Sequence, residues 1–162
     1  MTLKRAFDPV VDANTRLLIL GSLPGDASLK AGQYYGHPQN GFWRLVGEVI
    51  GVDLTGRPYP DRLEALTVAG VGLWDVIASA TRQGSLDAAI RDVEAADLNR
   101  LIDRLPGLRA VAFNGGTAAR IGRRSLSLRA GIELIDLPSS SPAYTRPLAE
   151  KAATWSMLAR FL

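Results

Sequence analysis

Four short apolar runs, separated by stretches of helical period, constrain the fold of this chain more than any other feature of its sequence. Arg16 to Ser22 reads R-L-L-I-L-G-S, Val71 to Ile77 reads V-G-L-W-D-V-I, Leu108 to Asn114 reads L-R-A-V-A-F-N and Ile132 to Leu137 reads I-E-L-I-D-L. A strand with one wet face alternates apolar and polar side chains, whereas a continuous apolar run of this length is what a strand covered on both faces requires. The intervening segments have the other period. Gly41 to Ile50 sets Phe42, Leu45, Val46 and Val49 on one helical face, and Asp61 to Ala69 and Asp97 to Leu105 repeat that spacing. Thr117 to Arg124 and Pro147 to Leu162 supply two more helices, the latter with a proline at its first position. Strands joined through helices need crossover connections, and these build a parallel sheet with helices on both faces. The expected fold class is therefore α/β with a four-stranded parallel sheet. A chain of 162 residues suits one domain, spanning 1–162, in which roughly 70% of the unfolded surface becomes buried.

Two stretches lack either period, Leu23 to Asn40 and Pro138 to Arg146. Long irregular segments in a compact domain tend to carry function. Both follow the carboxyl end of an expected strand, the edge on which open α/β sheets bind ligands.

Composition removes several chemistries. There is no cysteine, which excludes disulfides, a thiolate nucleophile and cysteine-ligated metal centres. The one histidine, His37, excludes a histidine-rich metal site, and no G-x-S-x-G turn accompanies it as a serine triad would need. No metal and no cofactor is expected. Hydrolytic chemistry would rest on Asn, Asp, Glu, Ser and backbone groups. No apolar run approaches the roughly 18 residues of a membrane-spanning helix, and Met1 to Arg5 leads into no secretory core, so an intracellular, cytoplasmic protein is expected. The 19 Lys plus Arg against 16 Asp plus Glu leave a net charge of only +3, a weak signal for a polyanionic partner. Arg120, Arg123, Arg124 and Arg129 do cluster within ten residues, a pattern that a solvated helix face also produces.

The first loop, Gly21 to Trp43, reads G-S-L-P-G-D-A-S-L-K-A-G-Q-Y-Y-G-H-P-Q-N-G-F-W. It lacks both the dinucleotide-binding glycine pattern and the P-loop lysine signature. It offers instead a backbone shaped by Gly and Pro, the adjacent aromatics Tyr34 and Tyr35, and the amide of Asn40 immediately before a helix. Such a set suits a flat, neutral ligand rich in hydrogen-bonding groups.

Taken with G-L-W-D-V-I at Gly72 to Ile77, the F-N-G turn at Phe113 to Gly115 and the loop L-P-S-S-S-P-A at Leu137 to Ala143, this loop resembles the uracil-DNA glycosylase superfamily. Within it the chain is most similar to the hypoxanthine-DNA glycosylase branch, also called DNA-deoxyinosine glycosylase. The similarity runs from about Arg16 to the C-terminus, and H-P-Q-N-G-F-W is its most specific string. The resemblance implies a three-layer α/β/α sandwich and hydrolysis of the bond between a deaminated base, hypoxanthine foremost, and deoxyribose. The partner it implies is DNA containing that base, flipped out of the helix. A monomer is expected. No lysine stands where the resemblance would place a Schiff-base nucleophile, so a monofunctional hydrolase is expected.

Site residues follow from the same likeness. Asn40 matches the asparagine associated with catalysis in this branch. Independently, base excision passes through an oxocarbenium-like sugar with negative charge gathering on the leaving base, and a side-chain NH2 aimed there lowers the barrier. The N–H groups of Gly41, Phe42 and Trp43 at the helix start could favour the same anion. The plain alternative for Asn40 is a helix cap. Tyr35 falls where a relative stacks an aromatic on the base, or it packs the loop on the core. Ser22 and Leu23 would line the base pocket. Leu23 occupies the position at which mismatch-specific relatives carry a catalytic Asn, which points away from uracil and mismatched thymine. Asp75 could accept a hydrogen bond from hypoxanthine N1–H, orient water, or serve the loop structurally. Ser139, Ser140 and Ser141 would grip phosphates, with Ser141 or Pro142 entering the gap left by the base; Ser/Pro clusters are also ordinary turns. Excision of uracil, or binding of a damaged base without cleavage, are the competing readings.

Overall fold

The structure is a computed structural model describing residues 2–83 and 85–162. In chain order its elements are β1 (Thr2–Arg5), β2 (Leu17–Gly21), α1 (Asp26–Ala31), α2 (Phe42–Ile50), α3 (Tyr59–Ala69), β3 (Val71–Asp75), β4 (Ile77–Arg82), β5 (Arg91–Ala95), α4 (Leu98–Ile102), β6 (Ala110–Asn114), α5 (Gly116–Ser125), β7 (Glu133–Leu137) and α6 (Leu148–Trp155). Short 3-10 turns lie at Asp87–Ala89 and Ser156–Phe161.

The four expected strands form one parallel sheet in the order β3-β2-β6-β7. Every residue of β2 and of β6 is buried, and their alternation feeds two separate cores. Leu17, Ile19, Ala110 and Ala112 face one way, onto Phe42, Val46, Leu66 and Trp155 of α2, α3 and α6. Leu18, Leu20, Val111 and Phe113 face the other way, onto Leu98, Leu101 and Ala118 of α4 and α5. The central runs are continuously apolar because both faces are covered, giving the α/β/α sandwich. Its edges are protected. Val10 exchanges two backbone hydrogen bonds of 2.9 Å with Leu73 outside β3, and β7 is five residues long with Glu133 and Asp136 exposed.

Three local departures from the sequence reading matter for the site. The run Val71 to Ile77 is two strands, because the chain leaves the parallel sheet at Asp75 and turns at Val76, whose N–H donates to Gly21 O at 2.8 Å. From Ile77 it continues into a second, antiparallel sheet of order β1-β4-β5. That sheet was not legible as period; β5 is exposed throughout, so no burial pattern marks it. The first loop contains α1, stopped at Gly32 with left-handed φ of 66°, and the last helix tightens into a 3-10 turn after Trp155.

Candidate active site

The carboxyl ends of the four parallel strands surround one cleft of about 490 Å³. Gly21 and Ser22 come from the end of β2, Asp75 from β3, Asn114 from β6 and Ser139 to Ala143 from the loop after β7. The first loop adds Leu23, Tyr34, Tyr35, His37 and Asn40, and the connection between β4 and β5 adds Ser85 to Asp87. Every proposed site residue, Ser22, Leu23, Tyr35, Asn40, Asp75, Ser139, Ser140, Ser141 and Pro142, lines this cleft.

Asn40 is held from both sides. Its N–H donates to His37 O at 3.0 Å, and its Oδ1 accepts the Phe42 N–H at 2.9 Å. The next residue, Gly41, donates its N–H to Ser140 O at 3.0 Å, tying the first loop to the second. The N-cap residue is Gly41; Asn40, one position earlier, takes up the first helical N–H with its oxygen and keeps its NH2 for another acceptor, so holding the helix start and donating to a ligand are compatible roles. The expectation that Gly41 and Phe42 N–H groups would serve a bound anion is corrected: both are spent within the protein.

Both tyrosines pack the loop onto the core, each in its own way. Tyr34 is 4% exposed, donates its hydroxyl to Asp8 O at 2.8 Å and its backbone N–H to Tyr59 Oη at 3.0 Å; it fastens the loop to the core. Tyr35 stacks on Phe42 with centroids 3.9 Å apart and planes 14° from parallel, at a left-handed φ of 52° that costs a non-glycine residue energy. Its hydroxyl is buried with no partner at hydrogen-bonding geometry, and burial, reinforced by Asp75 and opposed by the nearby Asn114 amide, holds its pKa above the ordinary phenol value.

Asp75 is 3% exposed, and its Oδ2 is buried with no partner. Burial, reinforced by Asp87 and opposed by Arg82, pushes its carboxyl up to about 7. Asp75 and Tyr35 converge over Gly21: a Cβ there would lie 2.7 Å from Asp75 Oδ1 and 2.9 Å from Tyr35 Oη. Only glycine leaves room for both. Ser22 donates its hydroxyl to Asp87 Oδ1 at 2.8 Å, and Leu23, 6% exposed, is an apolar wall packed among Leu20 and Val76.

In the second loop Ser140 is structural. It is 3% exposed, and it receives Asn114 Nδ2–H at its Oγ and donates its N–H to Asn114 Oδ1, both at 2.9 Å. Ser139 Oγ accepts the Ser141 N–H at 3.1 Å and Ser141 Oγ accepts the Ala143 N–H at 3.2 Å. These hydroxyl oxygens shape the turn and retain their O–H for a ligand. Pro142 is exposed at the rim. Gly115, at φ of 99°, lets α5 start directly under Ser139.

Sequence reasoning assigned no role to Asn114, Asp87, Arg82 or Lys151. Arg82, 1% exposed, donates to Pro24 O and lies 3.6 Å from Asp87. Lys151, 4% exposed, donates to Ser141 O at 3.1 Å. The F-N-G turn was the only available signal for Asn114; the two buried cations had none, because the partners they meet lie 58 and 10 residues away. His37 accepts the Gln39 N–H at its Nδ1, as a residue shaping the loop. Trp74 donates to Phe7 O at 3.0 Å and does not line the cleft. None of Arg120, Arg123, Arg124 and Arg129 lines it either; Arg123 pairs with Asp136 at 2.9 Å and Arg129 with Asp103. Among the described residues no group of His, Asp and Glu has metal-ligand grouping, and no helix is long and apolar enough to cross a membrane.

The chain that builds this parallel sheet and cleft matches the family model of the Uracil DNA glycosylase superfamily over residues 9–159, and it belongs to that superfamily. Two curated relatives narrow the likeness. Both are named Hypoxanthine DNA glycosylase: one from Methanosarcina barkeri, 47% identical over 154 residues, covering 94% of this chain and 96% of that one, and one from Methanosarcina acetivorans, 43% identical over 159 residues, covering 98% and 99%. A uracil DNA glycosylase candidate from Methanosarcina acetivorans, solved by solution NMR, superposes with a TM-score of 0.86 at 42% identity, covering 98% of both chains.

Proposed function

We propose that this chain is a DNA N-glycosylase that hydrolyses the glycosidic bond of hypoxanthine flipped out of DNA, leaving an abasic site. The observation that carries the substrate is the pair of unpartnered polar atoms on the cleft floor, the Asp75 Oδ2 acceptor and the Tyr35 hydroxyl donor. Burying such groups unpaired costs about 1–3 kcal/mol each, which a bound base would recover. Hypoxanthine presents a donor, N1–H, beside an acceptor, O6, and the ionised Asp75 with Tyr35 complements that edge. Adenine presents the reverse, an acceptor N1 beside an amino donor, and sets its N1 lone pair against the ionised Asp75, which can only accept.

Asn40 acts on the leaving group. With its oxygen held by Phe42, its NH2 donates to the base as negative charge develops there, the interaction that stabilises a transition state more than a ground state. Leu23 supplies an apolar wall where a polar residue would hold water, which favours hypoxanthine over uracil or mismatched thymine. The hydroxyls of Ser139 and Ser141 bind phosphates beside the extruded nucleotide, and Pro142 stands at the rim against the vacated stack. No step requires a metal or a covalent lysine adduct, so the reaction is hydrolytic and monofunctional.

The test is release of free base from oligonucleotide duplexes carrying a single hypoxanthine, uracil or xanthine. Hypoxanthine should be released fastest, in the presence of EDTA, with strand breaks appearing only after alkali. Loss of activity in EDTA, or strand scission without alkali, would overturn the mechanism.

A further inference from the structure

Beside the base cleft lies a second cavity, of about 750 Å³. It shares Tyr35, His37, Asn40, Ser140, Pro142 and Tyr144 with the cleft, so the two open onto each other beside Asn40. Four cations line it, Arg44, Arg62, Arg146 and Lys151, and among the described residues that line it there is no Asp or Glu. That imbalance exceeds the +3 of the whole chain. The ion pairs among the described residues, Lys4 with Asp26, Arg82 with Asp87, Arg123 with Asp136, Arg129 with Asp103 and Arg160 with Glu133, use none of the four in the cavity. Like charges gathered around a concavity focus a positive potential into it and raise the local concentration of an anion.

Flat groups lie among the charges. The Arg62 guanidinium sits 5.2 Å from the Trp43 ring centroid, and Tyr144 receives Arg146 at 5.7 Å and Lys151 at 5.4 Å. Trp43 is 6% exposed, lines the cavity, and its indole N–H is buried without an acceptor. Lys151 is anchored on Ser141 O, a fixed charge at the root of the serine loop, whereas Arg44 and Arg146 are exposed and free to meet a ligand. Guanidinium groups match phosphate oxygens in a planar, two-pronged fashion.

We propose that this cavity is the track of the phosphodiester backbone of the strand carrying the extruded nucleotide, with Arg44, Arg62 and Arg146 as its phosphate contacts. The inference rests on the glycosylase reading: a nucleotide whose base fills the cleft has its sugar beside Asn40, where the cavity begins, and the anions covalently nearest that sugar are its own flanking phosphates. The serine loop then holds the nucleotide through neutral groups, and this track supplies the salt-dependent part of the affinity. An acidic protein segment in the same cavity is the competing occupant.

The experiment measures binding of the full chain to an undamaged duplex and to a hypoxanthine-containing duplex across a series of salt concentrations. Replacing Arg44→Gln, Arg62→Gln and Arg146→Gln together should lower the slope of log affinity against log salt by about 0.9 per lost contact, about 2.7 in all. The pair Arg123→Gln and Arg124→Gln, outside the cavity, should leave it unchanged. Arg146→Gln alone, on an exposed loop, should lower the slope by about 0.9 and serves if the triple variant does not fold. An unchanged slope in the triple variant, or in the single one, overturns the track and leaves the cavity to another anion, with base release by the wild type still standing. Absence of base release by the wild type would instead sink the glycosylase reading, while the undamaged duplex still reports on the track.

Discussion

Asn114 and Ser140 exchange two hydrogen bonds of 2.9 Å, amide Nδ2–H to Ser140 Oγ and Ser140 N–H to Asn114 Oδ1. This reciprocal pair joins the end of β6 to the loop after β7, and Ser140 O in turn accepts the Gly41 N–H. One buried amide therefore sets the relative position of the serine loop and of the loop carrying Asn40.

Replacing Asn114→Ala leaves two polar groups of Ser140 buried without partners. Stability should fall by about 2–6 kcal/mol, two unsatisfied groups at about 1–3 kcal/mol each, and Ser140→Ala, which breaks only the hydroxyl bond and leaves the Asn114 NH2 unpaired, by about 1–3 kcal/mol. Chemical denaturation of the two variants checks the order. Excision by folded Asn114→Ala should also slow, because both loops lose their common anchor; equal rates would mean that the anchor serves stability alone.

Asn40→Ala should lower the single-turnover excision rate by roughly 10²–10³, the effect of removing one oxyanion-type donor. The lost cap on Phe42 N–H should cost no more than about 2 kcal/mol. A melting curve beside the rate separates the two effects, and near-normal excision by a folded variant would leave Asn40 a cap.

Asp75 makes a prediction in pH. Its carboxyl sits at about 7 in the folded protein and near 3.9 in an unfolded chain, so the native state binds the proton more tightly. Stability contributed by that proton is present below pH 4 and is lost as pH rises through 7. Asp75→Asn removes the titration, so its gain in melting temperature over the wild type should be larger at pH 8 than at pH 5. Excision of hypoxanthine by the wild type should decline below pH 7, as the acceptor for N1–H becomes protonated. In the variant that decline should vanish and the ratio of uracil to hypoxanthine excision should rise, since an amide offers a donor as well as an acceptor.

Tyr35→Phe deletes a buried hydroxyl that has no protein partner. Stability should hold or increase, because a desolvated group is removed, while excision should slow by about two- to tenfold, the worth of one neutral hydrogen bond. Rate and melting temperature moving in opposite directions would mark the hydroxyl as a ligand group; a falling melting temperature with an unchanged rate would mark it as packing.

Ser139→Ala with Ser141→Ala should weaken duplex binding several-fold without changing its salt dependence, since no counterion-displacing charge is removed. Both oxygens accept backbone N–H groups within the turn, so a melting curve must accompany the titration. Normal binding by the folded pair would reduce the second loop to an ordinary turn.

The apolar runs at Leu17–Gly21 and Ala110–Asn114 fixed the central strands from sequence alone, because burial on both faces demands unbroken hydrophobic side chains and nothing else in a chain of this kind does. The alternation between them and helical period fixed the parallel sheet and, through it, the edge on which a ligand binds. Asn40, Tyr35 and Asp75 were legible because motif and strand end placed them on that edge. The β1-β4-β5 sheet was not, since exposed Arg91–Ala95 has no apolar side to announce it. Nor could sequence show that the Asn40 amide holds the Phe42 N–H with its oxygen and leaves its NH2 uncommitted, that Tyr34 and Tyr35 part company, or that the neglected Asn114 holds two loops together. Those depend on which groups meet across tens of residues: Asn114 with Ser140, Arg82 with Pro24, and Asp75 with Tyr35 over a glycine too small to separate them. The cationic cavity is the clearest case. Arg44, Arg62, Arg146 and Lys151 lie on four different segments and look like scattered surface charge in the chain, while the arginine cluster visible in the sequence is spent in part on Asp136 and Asp103. Burial writes a local pattern into a sequence, but convergence of distant side chains does not, because it depends on how the layers close.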